Sequence, residues 1–509
     1  MAPSAVPVRG YSNLPAETEE SLLPSRKRLK THHGPTAASP DIQPEEDAPA
    51  AIPPHPLGIK PSGNAYTSSV DHKAAAGNFA KLPDELLIQL LELLEAPDLI
   101  RLGQVCKALY AFTRAEELWK ALFVESLPKD FTWCGTWRAT SLRIPAEHES
   151  HIHCPYLFSD ALYRPYFCAH TDLWPFAKNI PKQNEISRLS DLSLGDYQLH
   201  WTSKPFILTD PVKEWPVFKE WDSSALLDKY STTAFRAEAV DWPLHIYVDY
   251  MNNNTDESPL YLFDRAFATK MFLPLGTKAS GAAYWAPPCL GEDLFSVLGD
   301  QRPDSRWLIM GPARSGSTFH KDPNATSAWN AVITGSKYWL MFPSSSTLPP
   351  PPGVILSEDQ SEVTSPLSIA EYLLSFHSLA RQTPGCREGI CHAGEVLHVP
   401  SGWFHLVLNL EAGIALTQNF VPRGKLGDVL KFLRDCPDQV SGFRDEVVDP
   451  YGLFVDRLGN EFPEILQEGM RALEGKRGKW EELTKEDEED QGGFSFGFGG
   501  GDSDDEEDE

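Results

Sequence analysis

A chain of 509 residues, 41% of them hydrophobic, is long enough for two or three domains and can bury a sizeable core. Its formal net charge of -27 excludes a general basic footprint for nucleic acid, and about half of that charge lies in residues 481–509, which hold 14 acidic residues against one lysine. Eight cysteines without a compact even spacing, no secretory leader and no apolar run of the roughly 18 residues that a membrane helix needs lead us to expect a soluble, intracellular protein with reduced thiols, no membrane contact and no direct nucleic-acid binding.

Residues 1–75 are rich in Pro, Ala and Ser and are expected to be a disordered tail. Within them Ser25-Arg26-Lys27-Arg28-Leu29-Lys30 reads as a nuclear import signal, although a solvated charge run accounts for the same residues. The character changes at 76–125. Leu86, Leu90 and Leu94 repeat at helical spacing; beyond Ala96-Pro97-Asp98, so do Leu99, Leu102, Val105, Leu109 and Phe112. Pro83 suits a helix start and Asp98 can cap the next helix. Helices this short make a poor core alone, so part of their apolar face is expected to dock elsewhere. The Leu82-Pro83 start, the leucine-rich first helix, Val105-Cys106-Lys107 and Trp119 together resemble an F-box. That resemblance implies binding of the Skp-type adaptor of a cullin–RING ubiquitin ligase through Leu82, Pro83, Leu86 and Leu90. A helical cap on the downstream domain is the alternative.

Residues 126–200 form an aromatic-rich connector. His151, His153, Cys154, Cys168 and His170 fit no standard zinc spacing and are read as surface histidines and core thiols. From 201 to 422 the chain reads as short strands: 205–210, 244–248, 259–263, 306–310, 327–333, 337–342, 395–399, 404–410 and 413–420, punctuated by Gly, Pro, Asn or Ser. Many short strands with few long helices predict a double sheet or barrel of jelly-roll type. The interval 344–394, a Ser/Pro-rich loop followed by a helix, is expected to be an insertion. It contains Cys386, Cys391 and His392, which lack a suitably spaced fourth zinc ligand. Residues 423–480 look helical and leave a homodimer open. The acidic stretch 481–509 is expected to be a second disordered tail.

The chemistry concentrates around His320-Lys321-Asp322. On an extended chain, residues i and i+2 point to one face, so an imidazole and a carboxylate aim at one point. His405 is the best candidate for a third ligand. Two histidines and one carboxylate are the facial triad of non-haem Fe(II) oxygenases. Strand parity agrees: His405, Val407 and Asn409 share a face, as do Ala415, Thr417 and Asn419, and Lys337, Trp339 and Met341. A 2-oxoglutarate co-substrate needs a cation and a hydroxyl for its far carboxylate, which Lys337 and Thr417 can supply; Asn330 and Asn419 are further hydrogen-bonding candidates.

The runs 258–264, 306–343 and 394–421 resemble the JmjC family, within it the branch of lysyl hydroxylases and arginine demethylases. The resemblance implies a cupin-type double-stranded β-helix with Fe(II) held by His320, Asp322 and His405. It implies 2-oxoglutarate anchored by Lys337 and Thr417, with Tyr261, Ser317 and Asn330 lining the pocket and Asn419 on its inner side. The expected function is a protein oxygenase, a side-chain hydroxylase or N-methyl demethylase acting on histones or other nuclear proteins. The alternative is an F-box substrate receptor that uses the barrel only to bind a target.

Overall fold

The computed structural model describes residues 52–474 apart from 127, 129, 146–147, 346 and 358–361. The basic run at 25–30 and the acidic tail lie outside the described residues. The chain forms two compact units. One comprises the residues up to 179 with 252–259 and 351–382; the other comprises 180–251, 260–350 and the residues from 383 onward. Among the described residues no helix is long and apolar enough to cross a membrane.

The second unit carries most of the strands. In chain order these are β1 (Ser187–Leu189), β2 (Phe206–Leu208), β3 (Ala234–Ala237), β4 (Val240–Pro243), β5 (Leu262–Asp264), β6 (Arg306–Gly311), β7 (Gly316–His320), β8 (Ser327–Thr334) and β9 (Ser336–Phe342). A small hairpin, β10 (Ile355–Leu356) with β11 (Val363–Thr364), belongs to the first unit. The second unit then resumes with β12 (Arg387–His392), β13 (Val396–Val399), β14 (Phe404–Asn409) and β15 (Gly413–Phe420). They make two sheets, one ordered β1-β2-β13-β8-β15-β6-β5-β3-β4 and one ordered β12-β9-β14-β7. Ile207, Val332 and Leu397 from the larger sheet and Trp339, Met341, Cys391 and Val407 from the smaller one meet in a single buried cluster. The two sheets therefore share one core, the jelly-roll arrangement that the strand pattern predicts.

Turn chemistry sets the register around this core. Gly335, between β8 and β9, has φ +79, and a Cβ there would lie 2.7 Å from the Ala412 carbonyl oxygen. Glycine alone tolerates both the left-handed backbone and that approach. β9 pairs with β14 from Phe404↔Phe342 to Asn409↔Lys337, so Lys337 and Asn409 stand opposite each other. The C-terminal helices Leu426–Asp435 and Pro450–Glu461 pack Val429, Leu430, Phe454 and Leu458 against Leu294, Phe295 and Leu298.

Several expectations need correction. Residues 244–248 are not a strand but open a helix, Leu244–Asn252. Leu244, Ile246, Tyr247, Val248, Tyr250 and Met251 are all buried, and an apolar run buried on every side has no periodicity to separate helix from strand. The interval 344–394 is not wholly an insertion, because its last part is β12, paired with β9 through six residues. That strand hides its signal behind a buried carboxylate: Glu388 accepts from the Tyr338 hydroxyl at 2.6 Å and from Asn184 Nδ2 at 3.1 Å. Finally, residues 52–75, expected to belong to a disordered tail, are ordered. Leu57 and Ile59 are buried, and Lys60 pairs with Phe158 in a short parallel bridge.

The first unit contains the four short helices Asp84–Leu91, Ala96–Leu102, Lys107–Phe112 and Glu116–Ser126. Asp98 lies within the first turn of the second helix rather than capping it, and the cap position falls to Glu95. Leu87, Leu91, Leu99, Leu109, Phe112 and Trp119 are buried, with Trp119 Nε1 donating to the Thr113 carbonyl at 2.8 Å. Leu86, Leu90 and Leu93 stay exposed on the first helix and the turn after it, as does Val105.

Candidate active site

His320 ends β7 and His405 lies near the start of β14; the two are direct cross-strand partners. Their ring centroids are 4.1 Å apart. A β-bulge makes this possible. β14 advances two residues, from His405 to Val407, while β7 retreats three, from His320 to Ser317. The extra residue on β7 lets Ser317 and His320, which plain alternation would put on opposite faces, both stand opposite inward-facing partners.

Each imidazole is held by its own strand. His320 Nδ1 donates to the Thr318 carbonyl at 2.8 Å, and His405 Nδ1 donates to the Trp403 carbonyl at 3.1 Å. A carbonyl can only accept, so in both rings Nδ1 carries the proton and the Nε2 lone pair is free. Trp339 lies against His405 with an interplanar angle of 28°. Burial pushes the His405 pKa down to about 4, and burial together with His405 depresses that of His320. Both rings are therefore neutral near pH 7, the form that ligates metals.

Asp322 follows β7 with extended backbone (φ -65, ψ 146), which keeps it on the His320 side. Its Oδ1 accepts from Asn419 Nδ2 at a long 3.4 Å, while its Oδ2 is buried without a hydrogen-bond partner. Burial raises the carboxyl pKa; His320 and Asn419 pull it back down. Asn419 also donates to Thr326 Oγ1 at 2.8 Å. An orphaned buried carboxylate oxygen beside two Nε2 lone pairs is a donor set that fits a divalent transition metal. Among the described residues, the group of three donors mutually within 4.8 Å is instead Cys168, Glu257 and Glu371 in the first unit; the barrel's three are not drawn that tightly together. Glu371 already pairs with Arg164 at 3.3 Å, and Glu257 accepts from Ser368 Oγ at 2.5 Å.

Deeper in the barrel stands Lys337, 2% exposed. Its Nζ donates to the Tyr261 hydroxyl and to Asn409 Oδ1, both at 2.6 Å. Neither acceptor carries a charge, and burial lowers the lysine pKa to about 7. Asn409 is fixed in turn: its Nδ2 donates to Ser315 Oγ at 2.8 Å, and Ser315 Oγ donates to the Pro312 carbonyl at 2.6 Å. A Cβ at Gly311 would fall 2.3 Å from Ser315 Oγ and 2.7 Å from the Tyr261 ring, so glycine is what lets these two close around the lysine. Thr417 and Asn330 are cross-strand partners on β15 and β8. Thr417 Oγ1 donates to the Trp329 carbonyl at 2.9 Å, and Asn330 Oδ1 is buried without a partner.

The structure thus gathers His320, Asp322 and His405 at one end of the smaller sheet. Lys337 and Tyr261 are in mutual contact, and Thr417, Asn330 and Asn419 lie on the facing strands. Asn409, Ser315 and Gly311 complete the lysine's surroundings without having been singled out. For Asn409 the signal was available, since it shares the His405 face by simple alternation. Ser315 sits in the turn between β6 and β7, with no periodicity to read, and Gly311, the last residue of β6, has no side chain to register on either face.

A cupin-like domain model matches residues 197–425 and an F-box-like model matches 79–125. The arginine-specific demethylase JMJ22 of Arabidopsis thaliana is 37% identical over 450 residues, which cover 85% of this chain and 87% of the relative. The chain belongs to the JmjC family of cupin-like proteins. The bifunctional arginine demethylase and lysyl-hydroxylase psr-1 of Caenorhabditis elegans is 33% identical over 231 residues, 42% of this chain and 55% of the relative. The 2-oxoglutarate and iron-dependent oxygenase JMJD4 of Homo sapiens is 32% identical over 154 residues, 29% of this chain and 35% of that protein. These similarities agree with the resemblances drawn from the sequence for both the barrel and the helical segment.

Proposed function

We propose that this JmjC protein is an Fe(II)- and 2-oxoglutarate-dependent oxygenase that acts on side chains of a protein substrate. The observation that carries the reading is the pairing of two charge-poor traps inside one barrel. Two neutral imidazoles and a carboxylate with an orphaned oxygen call for a cation. A buried lysine with only neutral partners calls for an anion. His320, Asp322 and His405 would hold the iron. Lys337, Tyr261 and Thr417 would hold the far carboxylate of 2-oxoglutarate, with Asn330, Asn419 and Ser317 around it. Bound iron supplies the activation of dioxygen that oxidises one substrate C–H bond while 2-oxoglutarate becomes succinate and carbon dioxide. The chain's own part is to keep both imidazoles neutral and oriented, to fix the co-substrate and to exclude water. The named relatives point to arginine or lysine side chains as the substrate class, by hydroxylation or by loss of an N-methyl group as formaldehyde.

Anaerobic calorimetry of 2-oxoglutarate with the Mn(II)-loaded full chain tests the site. Metal-dependent binding that His320→Ala abolishes is expected; binding that survives the substitution would refute the ligand assignment.

A second activity has an observation of its own. In the F-box-like segment Leu86, Leu90, Leu93 and Val105 are exposed, an apolar face in the position where such segments meet an adaptor. We infer that it binds a Skp-type adaptor of a cullin–RING ligase. Capture of purified adaptor by the full chain, and its loss in Leu86→Asp/Leu90→Asp, is the expected result. Equal capture by both chains would remove this assignment and leave the oxygenase untouched.

A further inference from the structure

What Asn409 offers to Lys337 depends on a hydroxyl 94 residues away in sequence. An asparagine side chain can present an accepting oxygen or a donating nitrogen, and a half-turn of the amide exchanges them. A charged lysine can use only the oxygen, because an ammonium has donors and no acceptor. Asn409 therefore supports the ammonium in one orientation and opposes it in the other. The groups behind it decide which. Ser315 is buried, with its Oγ 2.6 Å from the Pro312 carbonyl oxygen and 2.8 Å from Asn409 Nδ2. A hydroxyl has one hydrogen and a carbonyl only accepts, so that hydrogen goes to Pro312 and Oγ meets Asn409 as an acceptor. The amide nitrogen must stand there, which leaves the amide oxygen 2.6 Å from Lys337 Nζ. Turned over, the amide would set its nitrogen against the ammonium and its oxygen against the lone pairs of Ser315 Oγ.

The backbone keeps the two side chains at that distance. Arg314 N donates to the Asn409 carbonyl at 2.7 Å and Asn409 N to the Ser315 carbonyl at 2.8 Å, extending the β7–β14 ladder past Gly316. Arg314 takes a left-handed φ of +78 in this turn, a conformation that a residue with a side chain adopts at a cost. The missing Cβ of Gly311 leaves the space that Ser315 Oγ fills. The titratable groups facing Lys337 add no charge. Burial keeps the Tyr261 hydroxyl and the Cys391 thiol protonated, and Glu395 and Arg188, which act on that thiol, pair with each other. The ammonium is thus supported by oriented neutral dipoles, which leave its charge uncompensated for an incoming carboxylate.

We propose that Ser315 is a positioning residue for the co-substrate anchor: its hydroxyl turns the Asn409 amide so that a neutral oxygen holds the Lys337 ammonium ready for a carboxylate. The inference rests on the oxygenase reading for the identity of that carboxylate, 2-oxoglutarate, and not for the relay itself. NMR titration of the full chain with isotope-labelled lysine reads the relay with neither metal nor co-substrate present; the Lys337 signal is the one lost in Lys337→Met. In Ser315→Ala the Lys337 titration midpoint should fall by about one pH unit, as loss of one charge-assisted hydrogen bond requires. Ser315→Cys, whose thiol keeps the shape but accepts only weakly, should do the same and decides the matter if the alanine variant folds poorly. Calorimetry of the Mn(II)-loaded variants should then show the rise of the 2-oxoglutarate Kd with pH beginning about one pH unit lower. Asn409→Asp should move the midpoint up and still weaken 2-oxoglutarate about tenfold or more, because the new carboxylate claims the cation. A merely structural role for Ser315 predicts a lower melting temperature with an unchanged midpoint, and that result in both Ser315 variants would overturn the proposal. So would tighter 2-oxoglutarate binding by Asn409→Asp. Shifted midpoints in a chain that binds no 2-oxoglutarate would uphold the relay and overturn the oxygenase reading instead.

Discussion

The barrel interior and the F-box-like helices break the ordinary rules of burial in opposite directions. In the barrel, polar groups are buried without adequate partners: Asp322 Oδ2 and Asn330 Oδ1 have none, and Lys337 has only neutral ones. In the helical segment, large apolar side chains are left in water, with Leu86 48% and Leu93 80% exposed. Each departure costs free energy in the isolated chain and marks the place where something else belongs. In the reading proposed above, the barrel's departure suits charged ligands and that of the helices suits an apolar protein face.

The comparison can be broken most severely at the metal end. His320→Ala or Asp322→Ala should lower succinate formation by about a thousandfold or more, the several kcal/mol that a catalytic metal supplies. The melting temperature measured without metal should barely fall, since each substitution removes a group that is under-satisfied in the fold. A comparable loss from Asn419→Ala would mean that the Asp322 hydrogen bond, rather than the ligand set, is limiting.

The lysine end should respond next. Lys337→Met removes the cation but keeps the volume, and 2-oxoglutarate affinity should fall about a hundredfold, the scale for truncating one partner of a buried charge pair. The pH dependence sharpens this. The groups facing Lys337 are the Tyr261 hydroxyl and, from β12, Cys391, whose thiol burial keeps protonated; Glu395 and Arg188 act on that thiol. With a lysine pKa of about 7 in the free protein, the ammonium is present below pH 7 and lost above it. A bound carboxylate favours the ammonium, so binding above pH 7 takes up a proton. The 2-oxoglutarate Kd should rise by about tenfold per pH unit between 7 and 9 and stay level below 7. A Kd that is flat to pH 9 would show a lysine charged throughout.

The helical segment should give the smallest effects on the isolated chain. Leu86→Ala should change stability by no more than about 0.5 kcal/mol, as an exposed position does, whereas its buried neighbour Leu87→Ala should cost about 2–4 kcal/mol. Denaturant titration of the two variants measures the difference. Equal costs would mean that Leu86 is covered in the free protein and cannot await a partner.

Much of this organisation was legible in the residues alone. Alternation placed Lys337, Trp339 and Met341 on one face of β9 and His405, Val407 and Asn409 on one face of β14, and those faces line the barrel core. Local spacing was enough there because a strand's two faces follow from period two. Where side chains are buried on all sides the rule fails, as in the helix Leu244–Asn252, and a buried glutamate concealed β12 by mimicking a surface position.

By itself, then, the sequence determined which residue types could ligate a cation or anchor a carboxylate, which strand faces would carry them, and that a leucine-rich helical segment precedes the barrel. These are local properties, set by chemistry and by the periods of strand and helix. Only the tertiary structure decided that a bulge in β7 turns His320 toward His405 and that Lys337 is caged by Tyr261, Asn409 and Ser315. Such arrangements depend on register and on loops that bring together residues distant in sequence, and no periodicity within the chain encodes them.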